Sequence, residues 1–309
     1  MKGPSDAPVL DRMGGRDFPL MGAAPRALLL STIATDPNDW HIGRFSQLGE
    51  MIRTAGLEQD AAFELSISDY PQDDAQRKAL QADLSSGRYG QIWLIAPDMD
   101  NGPDPGFFRA LEDAVTAGTD LVIARDHTDL GSCLLELQGC LNEVGQTQTF
   151  QRSWPDLPTD REYADEACAS IITPCVVTGQ NGGVQICRQR ADHPLLNFAP
   201  MIPGHLVIPA HPHEGVIRPV GPNQTVLLSS FSITSGREQT TAVVDETPGR
   251  GMVLHHSTFH HFADYNLDVS AGAPDFVLDP PSSQIADSPA LLNDIKAYVR
   301  SVVHYANSN

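Results

Sequence analysis

Between residues 26 and 124 the sequence alternates apolar runs of strand length with segments whose apolar residues recur every three or four positions. Nothing else in the chain restricts its fold as strongly. Residues 27–33 form an apolar run suited to a strand buried on both faces. Asp39 then offers an N-cap to a helix with apolar residues at Ile42, Phe45, Leu48, Ile52 and Ala55, and Gly56 marks its stop. Phe63, Leu65 and Ile67 alternate as a second strand, residues 74–84 read as a helix, and 91–96 as a third, buried strand. A helix over 105–117, stopped by Gly118, leads to a fourth strand over 121–124. Strands alternating with helices predict an α/β fold with a mostly parallel central sheet and helices on both faces.

Outside that stretch the pattern changes. Residues 1–25 are rich in Gly, Pro and Asp without periodicity and read as an N-terminal extension, leaving 26–309 as a single domain. Residues 147–190 read as an insertion on the rim of the sheet, with a β-hairpin over 176–186 around Gln180-Asn181-Gly182-Gly183. Strands resume at 206–209, 225–231, 240–245 and 252–256. Ser288 and Pro289 then open a closing helix that carries Leu292, Ile295, Val299, Val302 and Val303 on one face.

Charge removes several functions from consideration. Lys and Arg number 20 against 39 Asp and Glu, a formal net charge of −19, which repels phosphate backbones and anionic lipid, so neither nucleic acid nor membrane is an expected partner. The amino-terminal residues lack the basic flank and long apolar stretch of a secretory signal, so a cytoplasmic location is expected. Five cysteines without a CxxC pair argue against a disulfide framework or a thiolate zinc site.

In open α/β sheets ligands bind beyond the carboxyl ends of the strands. Three such loops, 125–129, 211–215 and 255–261, hold seven of the 11 histidines. In extended backbone, residues i and i+2 point the same way, so His211 and His213 can face one ion, with Asp126 and Asp129 adding oxygen ligands. Imidazoles with carboxylates suit a divalent zinc, iron or manganese ion. Glu214 or His127 is the candidate general base, and His260 or His261 would polarise or orient a substrate. Trp40, His41, Arg125 and His256 are candidate substrate-binding residues. The competing reading is that such histidines cap helices, bond backbone and pair with acids. Nucleophile alternatives are thinner: Cys133 falls inside a helix-like pattern over 130–137, no GxSxG elbow is present, and Ser257 and Thr258 suit strand-end capping. Gly249-Arg250-Gly251 fits a turn better than a phosphate cradle.

The run from Gly249 through His255-His256-Ser257-Thr258-Phe259-His260-His261 resembles the late strand-turn segment of ThuA-like proteins. Asp192-His193-Pro194-Leu195-Leu196 resembles that family's His-Pro segment, and 117–124 its glycine-rich strand approach. The resemblance implies a class I glutamine amidotransferase-like fold, a flavodoxin-like three-layer sandwich. Asp126-His127-Thr128-Asp129 stands where true amidotransferases carry a cysteine nucleophile, so glutaminase chemistry is not expected. The leading expectation is a metal-dependent hydrolase of a small polar amide, ester or lactone. Its alternatives are a metal-free sugar-modifying isomerase or lyase of ThuA type and a non-catalytic small-molecule-binding protein. Sheets of this type pair through an edge or a helix face, so a homodimer or higher homo-oligomer is expected.

Overall fold

The alternating half folds much as its periodicities dictate. Strands β1 (Arg26–Ser31), β2 (Glu64–Asp69), β3 (Gln91–Ile95) and β4 (Asp120–Ala124) pair in parallel in the order β2-β1-β3-β4. Helices α1 (Ser46–Gln59), α2 (Asp74–Ser85) and α3 (Pro105–Thr116) connect them. The structure is a computed structural model and describes residues 25–150, Arg152, the backbone of 163–165 and 170–172, and residues 176–306. The expected extension over 1–25 lies outside the described residues apart from Pro25, as does much of the expected insertion.

Two helix boundaries differ from expectation for local reasons. A 3-10 turn over Ile42–Phe45 precedes α1, and its cap is His41, whose Nδ1 accepts the Gly43 N–H, while Asp39 bonds the amide of Trp40. Gly56 does not stop α1 but sits inside it, where the Phe63 ring packs directly against the backbone and leaves no room for a Cβ. Asp73 and Asp104 cap α2 and α3 through their carboxylates, and Pro105 opens α3.

Beyond β4 the sheet departs from the mostly parallel expectation. After α4 (Asn142–Thr147), β5 (Tyr163–Asp165) and β6 (Ser170–Ile172) form a separate antiparallel pair. The strands β7 (Val184–Gln189), β8 (His205–Pro209), β9 (Gln224–Phe231), β10 (Glu238–Asp245) and β11 (Val253–His256) extend the central sheet to nine strands, ordered β2-β1-β3-β4-β11-β10-β9-β7-β8. Only β11 continues the parallel part; each later neighbour is antiparallel. The physical reason is visible in the connections. Parallel neighbours need a crossover of a dozen or more residues, whereas β9, β10 and β11 are joined by short turns. The expected 176–186 hairpin is absent: Val176 bridges Glu214, and β7 pairs with β8 and β9.

Layers of helix cover both faces. Leu28, Leu30, Ile92, Leu94 and Ile123 pack with Phe107, Leu111 and Val115 of α3. Leu29, Trp93, Val122 and Leu254 point the other way, toward α1 and α7 (Asn293–Ala306), which brings Ile295, Tyr298, Val299 and Val302. Each such side chain contributes about 1.5–3 kcal/mol on burial. Two short helices, α5 (Asp264–Leu267) and α6 (Gln284–Asp287), lie between β11 and α7. Among the described residues no helix is long and apolar enough to cross a membrane.

Reversing direction four times from β11 leaves β8 running the same way as β4 and β11, so their carboxyl ends share one edge. In a flat sheet β8 would lie about 19 Å from β11, four spacings of ~4.8 Å. Yet the loops after β8 and β11 meet, with the centroids of the His211 and His260 rings 3.4 Å apart, and the β9–β10 pair between them carries register shifts between Thr240 and Val243. The segment after β8 then runs back across the sheet end: Thr149 N–H donates to the carbonyl of Val216, and Arg218 N–H to that of Thr147.

Candidate metal centre

Asp126 lies two residues past β4 in a loop that Arg125 holds from inside. The buried Arg125 guanidinium donates to the carbonyls of Leu130 and Thr128 at 2.7 Å each and to that of Thr149, and it stacks 4.2 Å from the Phe150 ring. Thr128 holds a left-handed backbone, φ 50°, an unfavourable state for a β-branched residue that the Arg125 bond helps to maintain. On the opposite side Gly215 presses against the loop, and a Cβ there would sit 2.6 Å from the Asp126 carbonyl.

The Asp126 side chain is 1 % exposed, and its Oδ2 has no hydrogen-bond partner among the described residues. Three imidazole nitrogens surround that oxygen: Nε2 of His127 at 3.3 Å, of His260 at 3.6 Å and of His211 at 4.0 Å. Ion–ligand bonds of ~2.0–2.1 Å in tetrahedral array place ligand atoms about 3.3 Å apart, so an ion fits here with small inward shifts. Asp126, His211 and His260 form one three-ligand group; His127, His211 and His213 form another. Because His211 has its Nδ1 on Asn181, only Nε2 is left to serve an ion. The two groups therefore describe one neighbourhood of up to five ligands. His213 closes it, its ring 4.4 Å from His127 and 4.6 Å from His211 between centroids.

Electrostatics favour the same chemistry. Burial pushes the Asp126 carboxyl well above its ordinary range, opposed by a Thr258 hydrogen bond and reinforced by the charge of Glu214. Burial also pushes His127 and His211 well below the usual imidazole range, and His260 to about 3. Neutral imidazoles around a costly buried carboxylate are what a cation would satisfy.

The short 3-10 turn Phe259–His261, capped by the Thr258 hydroxyl, sends consecutive histidines apart. His260 faces Asp126, with Trp40 edge-on to its ring at 4.7 Å. His261 faces Glu214 instead, Nε2 to Oε1 3.4 Å. That carboxylate also accepts from Thr178 at 2.9 Å and from Gln185 through Oε1, and from Ser257 at 3.4 Å through Oε2.

The other candidates lie elsewhere. Asp129 pairs with Arg152 and joins neither ligand group, because that guanidinium draws its carboxylate toward the surface. Arg125 has its donors on backbone carbonyls and braces the loop. His41 caps the turn before α1, and its Nδ1 lies 3.9 Å from Asp69. His256 points into the α7 face of the sheet, where its Nε2 meets the Tyr298 hydroxyl at 3.2 Å. His127 and His260, expected as catalytic residues, both border Asp126 as ligand candidates. Asn181, Asn266, Thr178 and Gln185 have no expected role in the site from the sequence. Asn266 lay in view six residues after His260; the other three meet the cluster only through the antiparallel arrangement around β7.

No family model and no curated protein matches the chain. Among solved structures it is similar to the glutaminase domain of Trypanosoma brucei CTPS with bound acivicin, at 13 % identity and a TM-score of 0.45, over 89 % of this chain and 94 % of that one. It is also similar to the carbohydrate deacetylase Agd3, at 12 % identity and a TM-score of 0.37, over 76 % of this chain and 29 % of that one.

Proposed function

We propose that the protein is a metal-dependent hydrolase of a small polar substrate, such as an amide, ester or lactone. Asp126, His211 and His260 bind the ion, with His127 and His213 beside them. The observation that carries this reading is the buried Oδ2 of Asp126, without a hydrogen bond among the described residues and ringed by three imidazole nitrogens. Zinc, iron and manganese fit this mixed nitrogen and oxygen set. Such an ion supplies Lewis acidity and acidifies water bound to it.

The chain's own residues supply the proton chemistry. Glu214 is the general base: Thr178 and Gln185 occupy its Oε1, leaving Oε2, on which the described residues place the long Ser257 contact alone, to take a proton. His261 lies beside the same carboxylate, and its Nε2 accepts the Gln185 amide at 3.0 Å. The ThuA-like affiliation remains part of this proposal, resting on the 192–196 and 249–261 motifs.

Elemental analysis of tag-free protein tests the reading. About one zinc, iron or manganese per chain is expected, lost in a His211→Ala/His213→Ala variant that stays folded. Stoichiometric metal in that variant would exclude the assignment. The buried Glu214–His261 pair favours one competing reading, a metal-free acid/base enzyme acting on sugars, whose activity a chelator leaves intact.

A further inference from the structure

We propose that Asn181 and Asn266 form one positioning bridge that fixes His211 and His260 as Nδ1–H tautomers, so that both Nε2 lone pairs converge on Asp126. The assignment follows from a single group that can only accept, the backbone carbonyl of Ala210. Asn266 Nδ2 donates to that carbonyl at 2.8 Å and to Oδ1 of Asn181 at 2.7 Å. Its amide orientation is thereby set, and its Oδ1, 2.9 Å from His260 Nδ1, must accept. The Asn181 atom that receives Asn266 is likewise an oxygen, and it lies 2.8 Å from His211 Nδ1. Both rings therefore carry their proton on Nδ1 and present a lone pair at Nε2.

The bridge is anchored on independent elements. Asn181 precedes Gly182, φ 73°, in the turn into β7, and its carbonyl accepts the Ser282 N–H at 2.7 Å. Asn266 sits in α5, whose Asp264 carboxylate accepts the amides of Ser46 and Gln47 at the start of α1. Asn181 Nδ2 is buried without a hydrogen-bond partner among the described residues. An Asn181→Asp change therefore keeps both accepted bonds, whereas Asn181→Leu removes them.

The inference rests on the metal reading only for what the lone pairs bind, and two measurements separate the failures. Nitrogen-15 chemical shifts of histidine in the metal-free protein should report Nδ1–H for both rings; an Nε2–H tautomer at either overturns the bridge. Zinc affinity, by competition with a chromophoric chelator, should fall about 10–100-fold in Asn181→Leu and be retained in Asn181→Asp. Equal affinity of Asn181→Leu and wild type, or equal loss in both variants, also overturns it. A wild-type chain that binds none of zinc, iron and manganese overturns the metal reading, while the tautomers still decide the bridge. They also decide it if Asn181→Leu does not fold.

Discussion

The imidazole rings of His211 and His260 lie face to face, 3.4 Å between centroids and 8° from parallel. Two cations at that separation would repel by about 5 kcal/mol even at an effective dielectric of ~20, so the rings are not charged together, and burial lowers the proton affinity of both. Asp126 is then the charge between them. Replacing it with Asn removes the anionic ligand and also a costly buried charge. Asp126→Asn should lose the stabilisation that zinc gives wild type, about 2.7 kcal/mol at a hundredfold excess over Kd. Its metal-free form should melt no lower than metal-free wild type. Calorimetry with and without zinc checks both; an undiminished zinc shift in the variant defeats the ligand role of Asp126.

Gly215 closes the centre from the side of the returning segment. An added Cβ meets the Asp126 carbonyl oxygen at 2.6 Å and the Ser257 carbonyl oxygen at 2.8 Å, both backbone atoms that cannot swing aside. Gly215→Ala should cost about 1–3 kcal/mol and push the Asp126 loop away from the histidines. Urea denaturation together with metal content tests this. A variant as stable and as metal-rich as wild type means that the loops approach less closely than described.

Arg125 was a substrate-binding candidate, and its three backbone acceptors give it another duty. Arg125→Met leaves those carbonyls unsatisfied inside the protein and should destabilise by about 3 kcal/mol or more. Arg125→Lys should rescue little, since a point ammonium cannot reach three carbonyls as a planar fork does. Melting temperatures of both variants decide. Unchanged stability with a raised KM would return Arg125 to substrate binding.

The parallel half of the sheet was legible because both its periods are regular: β1, β3 and β4 are continuous apolar runs buried along almost their whole length, and β2, at the exposed edge, shows through its alternation. The antiparallel half was harder to read. β7 is half-exposed, and its pairing with β8 and β9 depends on contacts distant in sequence. A clue was nonetheless present, because residues 184–256 hold no amphipathic crossover helix. The strand-end rule located Asp126, His211 and His213. It could not separate His260 from His261, whose directions depend on the phase of a single 3-10 turn. Nor could it see that Arg152 takes Asp129 away from the other acid.

Two buried histidines outside the ligand group give a pH signature. Burial holds His255 down to about 4 and His256 well below the usual range. Their contacts agree, since Gln148 lies 3.3 Å from His255 Nδ1 and Tyr298 3.2 Å from His256 Nε2, each able to donate to a neutral ring. The unfolded chain binds protons at these positions below pH ~6.5, while the folded chain refuses them until far lower. The stability they contribute is therefore full above pH 6.5 and is lost as pH falls toward 4. At pH 5.5 each should account for about 1 kcal/mol lost relative to pH 7.5. His256→Phe, which places an apolar ring beside Phe262 and Tyr298, should recover its share. Urea unfolding of the metal-free protein at both pH values reads the difference; identical acid sensitivity in wild type and variant would remove His256 as a cause.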